Sequence, residues 1–283
     1  MTKDQNEKPN GQQIEYWNNN AGPTWVESQE NMDRMLAPVT NALLGRCAVV
    51  PDERVLDVGC GCGDTSIQLG QAGAAVWGID ISEPMLGRAK ERAKSQGLSQ
   101  VAFGQTDAAT QALTPDHDLI VSRFGVMFFD DPEAAFRNLR SGLSPNGRLC
   151  FICWQPMVKN PWITTAGQAV APFLAPPENP PDPHAPGPFA LADADRLRGI
   201  LAQAGFAEIE IDSTELTLHL ADTIEEAMEM QTRIGPVARA INELEGEVRD
   251  QALAAARDAL ESKMTAGGLN LGAACWLVHA KAG

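Results

Sequence analysis

The alternation of apolar runs with amphipathic stretches organises this chain. Val55-Leu56-Asp57-Val58 is a short, nearly continuous apolar run, broken at once by Gly59, Gly61 and Gly63. Central parallel strands need such runs, because helices cover both of their faces. The pattern predicts a strand over 53–59, a helix over 64–72, a strand over 75–80 and a helix over 83–96. That second helix opens with Ser82-Glu83-Pro84, a capping residue followed by a proline in the first turn. Further strands are predicted at 101–103, 118–122 and 147–152. Between the last two, a helix starts at Asp131-Pro132-Glu133 and stops near Gly142. Strands alternating with helices at this spacing predict an α/β fold with a doubly wound, mostly parallel, seven-stranded sheet.

The flanks depart from that rhythm. Residues 1–12 are polar and predicted to be loose. Helical periodicity runs from Ile14 to Leu44, carried by Trp17, Trp25, Met32, Met35, Leu36 and Val39. A proline-rich connector fills 155–190, with Ala175-Pro176-Pro177 and Asn179-Pro180-Pro181. A helix at 191–205 and a strand at 207–219 follow. Ile234, Val237, Ile241, Leu244 and Val248 begin an amphipathic stretch that continues to Leu260. A last strand is expected at 273–278. Connections after the fifth and sixth strands leave from the carboxyl ends of those strands, where ligands bind in open α/β sheets. The expected organisation is a helical lid segment at 1–45, a cofactor-binding core at 46–155, a connector over the site at 156–190, and the rest of the core at 191–283, interrupted by a helical lid insertion at 220–268.

The glycine turn carries the candidate chemistry. Gly59, Gly61 and Gly63 let the backbone turn sharply and a ligand approach closely, while the helix after them points free N–H groups at the turn. Asp80 lies 21 residues beyond Gly59, the spacing at which the second strand of a βαβ unit offers a carboxylate to a ribose. A dinucleotide fingerprint requires glycine at the first, third and sixth positions of the turn. The sixth position here is Asp64, an acid where a pyrophosphate would sit. Asp57 and the acidic setting suit S-adenosylmethionine instead, which carries a sulfonium and an ammonium group and no phosphate.

Composition narrows the partners. The 283 residues carry a formal charge of −15, which argues against nucleic acid or an anionic membrane surface, since both need basic patches. No stretch of about 20 apolar residues suggests a membrane span. The polar start, Met1 to Glu7, lacks the apolar core of a secretory signal. A cytoplasmic protein with reduced thiols is expected. Cys60-x-Cys62 and Cys150-x-x-Cys153 are close pairs, but one sits in the glycine turn and the other inside an apolar strand, whereas zinc knuckles put such pairs on turns. No metal site is expected.

Asp57-x-Gly59-x-Gly61-x-Gly63 with Asp80 resembles the first two motifs of class I S-adenosylmethionine-dependent methyltransferases. Phe103-Gly104-Gln105-Thr106-Asp107-Ala108 and Ser122-Arg123-Phe124-Gly125 are similar to the later motifs, in the same order. The likeness covers 50–155 well and 190–283 in outline. It is nearest to the bacterial branch similar to ubiquinone/menaquinone C-methyltransferases. The resemblance implies that Asp57, Gly59, Cys60 and Gly61 hold the methionine end and Asp80 the ribose. It implies that Ile81 and Met85 sandwich the adenine, and that Asp107 accepts from its amine while the Ala108 N–H meets a ring nitrogen. Ser122 and Arg123 would meet the methionine moiety. Packing alone explains Met85 equally well, and Arg123 also reads as a solvated arginine at the sheet edge. If the acceptor needs a general base, His184, His219 and Tyr16 are the candidates; His117 precedes strand four, at the wrong end of the sheet. The expected activity is methyl transfer to a small quinone-like, lipid-like or secondary-metabolite acceptor. The alternatives are a cofactor-binding regulatory or scaffold protein without turnover, and a nicotinamide-dependent dehydrogenase.

Overall fold

The computed structural model describes residues 10–176 and 182–283. Three helices lead in: α1 (Gly11–Asn19), α2 (Ala21–Glu27) and α3 (Gln29–Cys47). Alternating units follow: β1 (Arg54–Val58), α4 (Asp64–Gln71), β2 (Ala75–Asp80), α5 (Glu83–Ser95) and β3 (Val101–Gln105). Next come β4 (His117–Arg123), α6 (Pro132–Ser141), β5 (Leu143–Trp154) and α7 (Pro161–Val170). The chain closes with α8 (Ala194–Gln203), β6 (Phe206–Ala221), α9 (Ile224–Arg233), α10 (Gly235–Asn242) and α11 (Gly246–Glu261), then β7 (Met264–Thr265) and β8 (Gly268–Ala282).

Seven strands form one sheet in the order β3-β2-β1-β4-β5-β8-β6, and the two-residue β7 pairs with β8 as a short eighth. Neighbours from β3 to β5 are parallel; β8 runs antiparallel between β5 and β6. The doubly wound, mostly parallel sheet is therefore as the hydropathy pattern predicts. Leu56, Leu119, Ile120, Leu149 and Ile152 are fully buried in its middle strands. Winding reverses between β1 and β4, so the ligand crevice of such a sheet opens at their carboxyl ends. No helix among the described residues is long and apolar enough to cross a membrane.

Four local readings change. The Ile14–Leu44 periodicity is three helices, because Asn20 leaves helical geometry (φ −120°, ψ −73°). Gly22 then packs so tightly on the Trp17 carbonyl and Ser82 Oγ that a Cβ would overlap both. The periodic stretch beyond residue 220 is likewise divided, at Gly235 (φ 93°) and Gly246 (φ 55°), whose left-handed backbones end one helix and start the next. The proline-rich connector contains α7, opened by Asn160-Pro161. Asn160 is buried there; its Oδ1 accepts from the Ala274 N–H at 2.9 Å and its Nδ2 donates to the Gln155 carbonyl at 3.1 Å. Finally Gly11 and Gln12, read as loose, belong to α1. The readings at 1–9 and 177–181 lie outside the described residues.

Candidate functional site

The floor is built where the β1 and β4 loops cross. Gly59 (φ 67°) faces Gly125 so closely that a Cβ on it would sit 2.6 Å from the Gly125 Cα. Both positions need hydrogen as a side chain. Asp80 ends β2 with its carboxylate in the cavity: Oδ2 accepts from the Gly61 N–H and Oδ1 from the Ser82 N–H, each at 2.8 Å. Burial pushes its carboxyl above the usual carboxylate range, against the pull of these backbone donors. A carboxylate held this way, with no cation bonded to it among the described residues, retains acceptor capacity toward the cavity. Cys60, Ile81, Met85 and Ala108 line the same space. Burial pushes the Cys60 thiol well up and the Cys62 thiol to about 12, so neither is a ready nucleophile.

Several expected contacts are placed differently. Asp57 lies outside the cavity lining, buried beneath α4, where it accepts from the Ser66 hydroxyl at 2.6 Å. It ties strand to helix. Ser122 is also outside; its hydroxyl donates to the Val58 carbonyl at 2.7 Å and joins the ends of β4 and β1. Asp107 does line the cavity, but its carboxylate already accepts from the Asn10 amide (2.9 and 3.2 Å), the Ala109 N–H and the Thr110 hydroxyl. Asn10 is buried, and it exchanges two further hydrogen bonds with Asp130. Arg123 is no solvated edge residue. Its Nη1 donates to Asp64 at 2.7 Å and to Thr40 at 2.6 Å, and both charged side chains are 12% exposed. Asp64 is thus neutralised, and the repulsion it was expected to exert on a phosphate is largely cancelled.

The walls and roof come from the flanks. Trp17, Trp25 and Met32 line one side, and Met230, Gln231, Ile234 and Val237 of α9 and α10 close the top. An aromatic wall continues inward: Phe124 stacks on Trp154 at 4.2 Å, and Trp162 leans on Trp154 at 4.9 Å. Phe124 holds φ 70°, a left-handed backbone that bulky residues avoid, and such strain persists only where surroundings enforce it. Asp33 also faces the cavity; burial raises its carboxyl despite Arg92 at 2.7 Å. Sequence reasoning missed Asn10, Asp33, Trp154, Trp162 and Gln231. Trp154, at the tip of a predicted strand, was the one with a readable signal.

The base candidates are not gathered. Tyr16 lies beyond the cavity lining, its hydroxyl accepting from Arg239 Nη2 at 3.4 Å. His184 is exposed, and its backbone N–H donates to Asp182. His219, on β6, contacts Asp222 at 3.0 Å and Asn270 at 3.2 Å, away from the site. His117 sits at the amino end of the sheet, against the Thr114 and Gly142 carbonyls.

Fold and site together define a Rossmann-like α/β protein whose crevice sets a glycine turn and the Asp80 carboxylate beneath an apolar roof. Residues 55–147 match the model of a methyltransferase domain family. The chain is 32% identical over 123 residues to an uncharacterised protein of Mycobacterium tuberculosis, covering 43% of this chain and 44% of that one. It is 35% identical over 129 residues to the demethylmenaquinone methyltransferase of Thermus thermophilus, 43% of this chain and 58% of the relative. The matched part thus spans about half the length of these relatives. The solved YcgJ protein of Bacillus subtilis shares the fold, with a TM-score of 0.56 at 17% identity over 86% of this chain and 97% of that one.

Proposed function

We propose that this protein is a cytoplasmic enzyme that transfers the methyl group of S-adenosylmethionine to a small, largely apolar acceptor. The carrying observation is Asp80: a half-buried carboxylate at the cavity edge, fixed by two backbone N–H groups and with no ion-pair partner among the described residues, suits a vicinal diol. Gly59 packs on Gly125 and Gly61 on the Met85 methyl, so the turn that presents the Gly61 N–H to Asp80 is fixed. When bound, the cofactor supplies a methyl group already activated on a positively charged sulfur. The residues fit it: Asp80 for the ribose hydroxyls, Ile81 and Met85 for the adenine faces and Ala108 for its edge, with Asp107 reaching it only by giving up a bond to Asn10 or Thr110. Arg123, with Nη1 committed to Asp64, has its remaining N–H groups for a carboxylate.

The protein's remaining task is to align an acceptor and exclude water, which the roof and aromatic wall are placed to do. A base role for Tyr16, His184 or His219 requires the roof or connector to shift. An apolar acceptor agrees with the name of the Thermus relative, which points to a quinone precursor for that protein.

The test is calorimetric titration with S-adenosylhomocysteine. Asp80→Ala removes a charge-assisted acceptor worth about 1.5–3 kcal/mol, so affinity falls about ten- to a hundredfold. Unchanged affinity in a folded variant sinks the assignment. A larger thermal shift with NAD or NADP than with S-adenosylhomocysteine would favour a dehydrogenase. Absence of methyl transfer from labelled cofactor to a metabolite extract, despite tight binding, favours a scaffold.

A further inference from the structure

The roof lowers a single hydrogen-bonding side chain into the cavity. Of the α9 and α10 side chains that line it among the described residues, only that of Gln231 is polar. Gln231 lies one turn beyond the buried Ala227, on the inward face of α9, where an apolar residue would complete the seam. It is 5% exposed, and its amide has no hydrogen-bond partner among the described residues. Its amide opens onto the cavity and meets no partner there among the described residues, so both its donor and its acceptor are available to a bound molecule. The same cavity holds the aromatic wall, where Phe124, with its left-handed backbone, stacks on Trp154.

We infer that Gln231 selects the acceptor: it bonds the carbonyl or hydroxyl oxygen of a flat, uncharged molecule whose ring lies along the Phe124–Trp154 wall. An amide both donates and accepts, so it serves either oxygen. An anionic acceptor is disfavoured, because Asp33, Asp64, Asp80 and Asp107 line the same cavity and its arginine, Arg123, is shared between Asp64 and, on the methyl-transfer reading, the cofactor's carboxylate. The inference deepens the methyl-transfer reading and takes its purpose from it, but acceptor binding is measured separately.

The experiment uses the full chain saturated with S-adenosylhomocysteine and three probes followed by equilibrium dialysis: 2-naphthol, naphthalene and 2-naphthoate. The wild type prefers naphthol to naphthalene by about tenfold, one neutral hydrogen bond's worth, and excludes naphthoate. Gln231→Met keeps the side-chain volume and removes the amide. It erases the preference by weakening naphthol about tenfold, while naphthalene and S-adenosylhomocysteine stay within twofold. Should the methionine variant not fold, Gln231→Leu carries the same comparison. A preference that survives the substitution, or naphthoate binding best, overturns the inference. Failure of the wild type to bind S-adenosylhomocysteine overturns the methyl-transfer reading instead, and the naphthol preference is then read without it.

Discussion

Asp57→Asn separates a buried structural carboxylate from a ligand contact. Burial raises the Asp57 carboxyl from 3.8 to about 7, with the Ser66 hydroxyl at 2.6 Å only partly offsetting the lost water. Between those two values the folded protein holds a proton that the unfolded chain has released, so stability falls as pH rises through the window. At about 1.4 kcal/mol per pH unit, this one group removes about 2–3 kcal/mol between pH 5 and pH 7. The substituted asparagine does not titrate, and its side-chain oxygen can still accept from Ser66. Its buried NH2 adds a cost, but that cost is the same at both pH values. Asp33 and Asp80 are raised in the same direction; they remain in both proteins and cancel in the difference. Urea denaturation of both proteins at pH 5 and pH 7 should show the variant gaining about 2–3 kcal/mol on the wild type over that interval. A difference flat to within about 0.5 kcal/mol refutes the raised carboxyl. A fall of more than about threefold in S-adenosylhomocysteine affinity would return Asp57 to the ligand.

Arg123→Met leaves Asp64 charged and half-enclosed, costing about 3 kcal/mol; the double variant with Asp64→Asn should recover most of it in denaturant melts, and no recovery means that the pair is not the cause. Hydrogen exchange should show S-adenosylhomocysteine protecting 11–27 and 224–242 as well as the floor loops, whereas protection confined to the floor would show that the flanking helices do not close over the ligand.

The core was legible because its rules are local. The run Val55 to Val58, the glycines after it and the spacing to Asp80 each constrain a few consecutive residues, and the βαβ unit follows from them. Asp57 and Ser122 lie outside the cavity lining for a reason of geometry. Position along a strand is visible in sequence, but which side of the sheet a side chain enters depends on what packs there, here Ser66 on α4 and the Val58 carbonyl. Arg123 and Asp64 had to be read as a pair, and nothing local says that they meet. Helix α7 hid among prolines, though Asn160-Pro161 is itself a start signal. Gly235 and Gly246 likewise marked breaks in a periodicity that looked continuous. Phe124, Trp154 and Gln231 come from the loop after β4, from β5 and from α9, and only the folded sheet and its roof bring them to one cavity.

The seam between roof and N-terminal helices is of a different character from the cavity it covers. Arg233 meets Glu27 at 2.5 Å and Arg239 meets Tyr16 at 3.4 Å, all at the solvent surface. Exposed pairs of this kind contribute about 0–1 kcal/mol each and weaken as the Debye length shrinks from about 10 Å at 0.1 M salt to about 3 Å at 1 M. The apolar contacts beneath are indifferent to that change. Added salt should therefore loosen the Arg233–Glu27 contact, and if that contact latches the roof, release of S-adenosylhomocysteine followed by stopped flow should quicken with ionic strength.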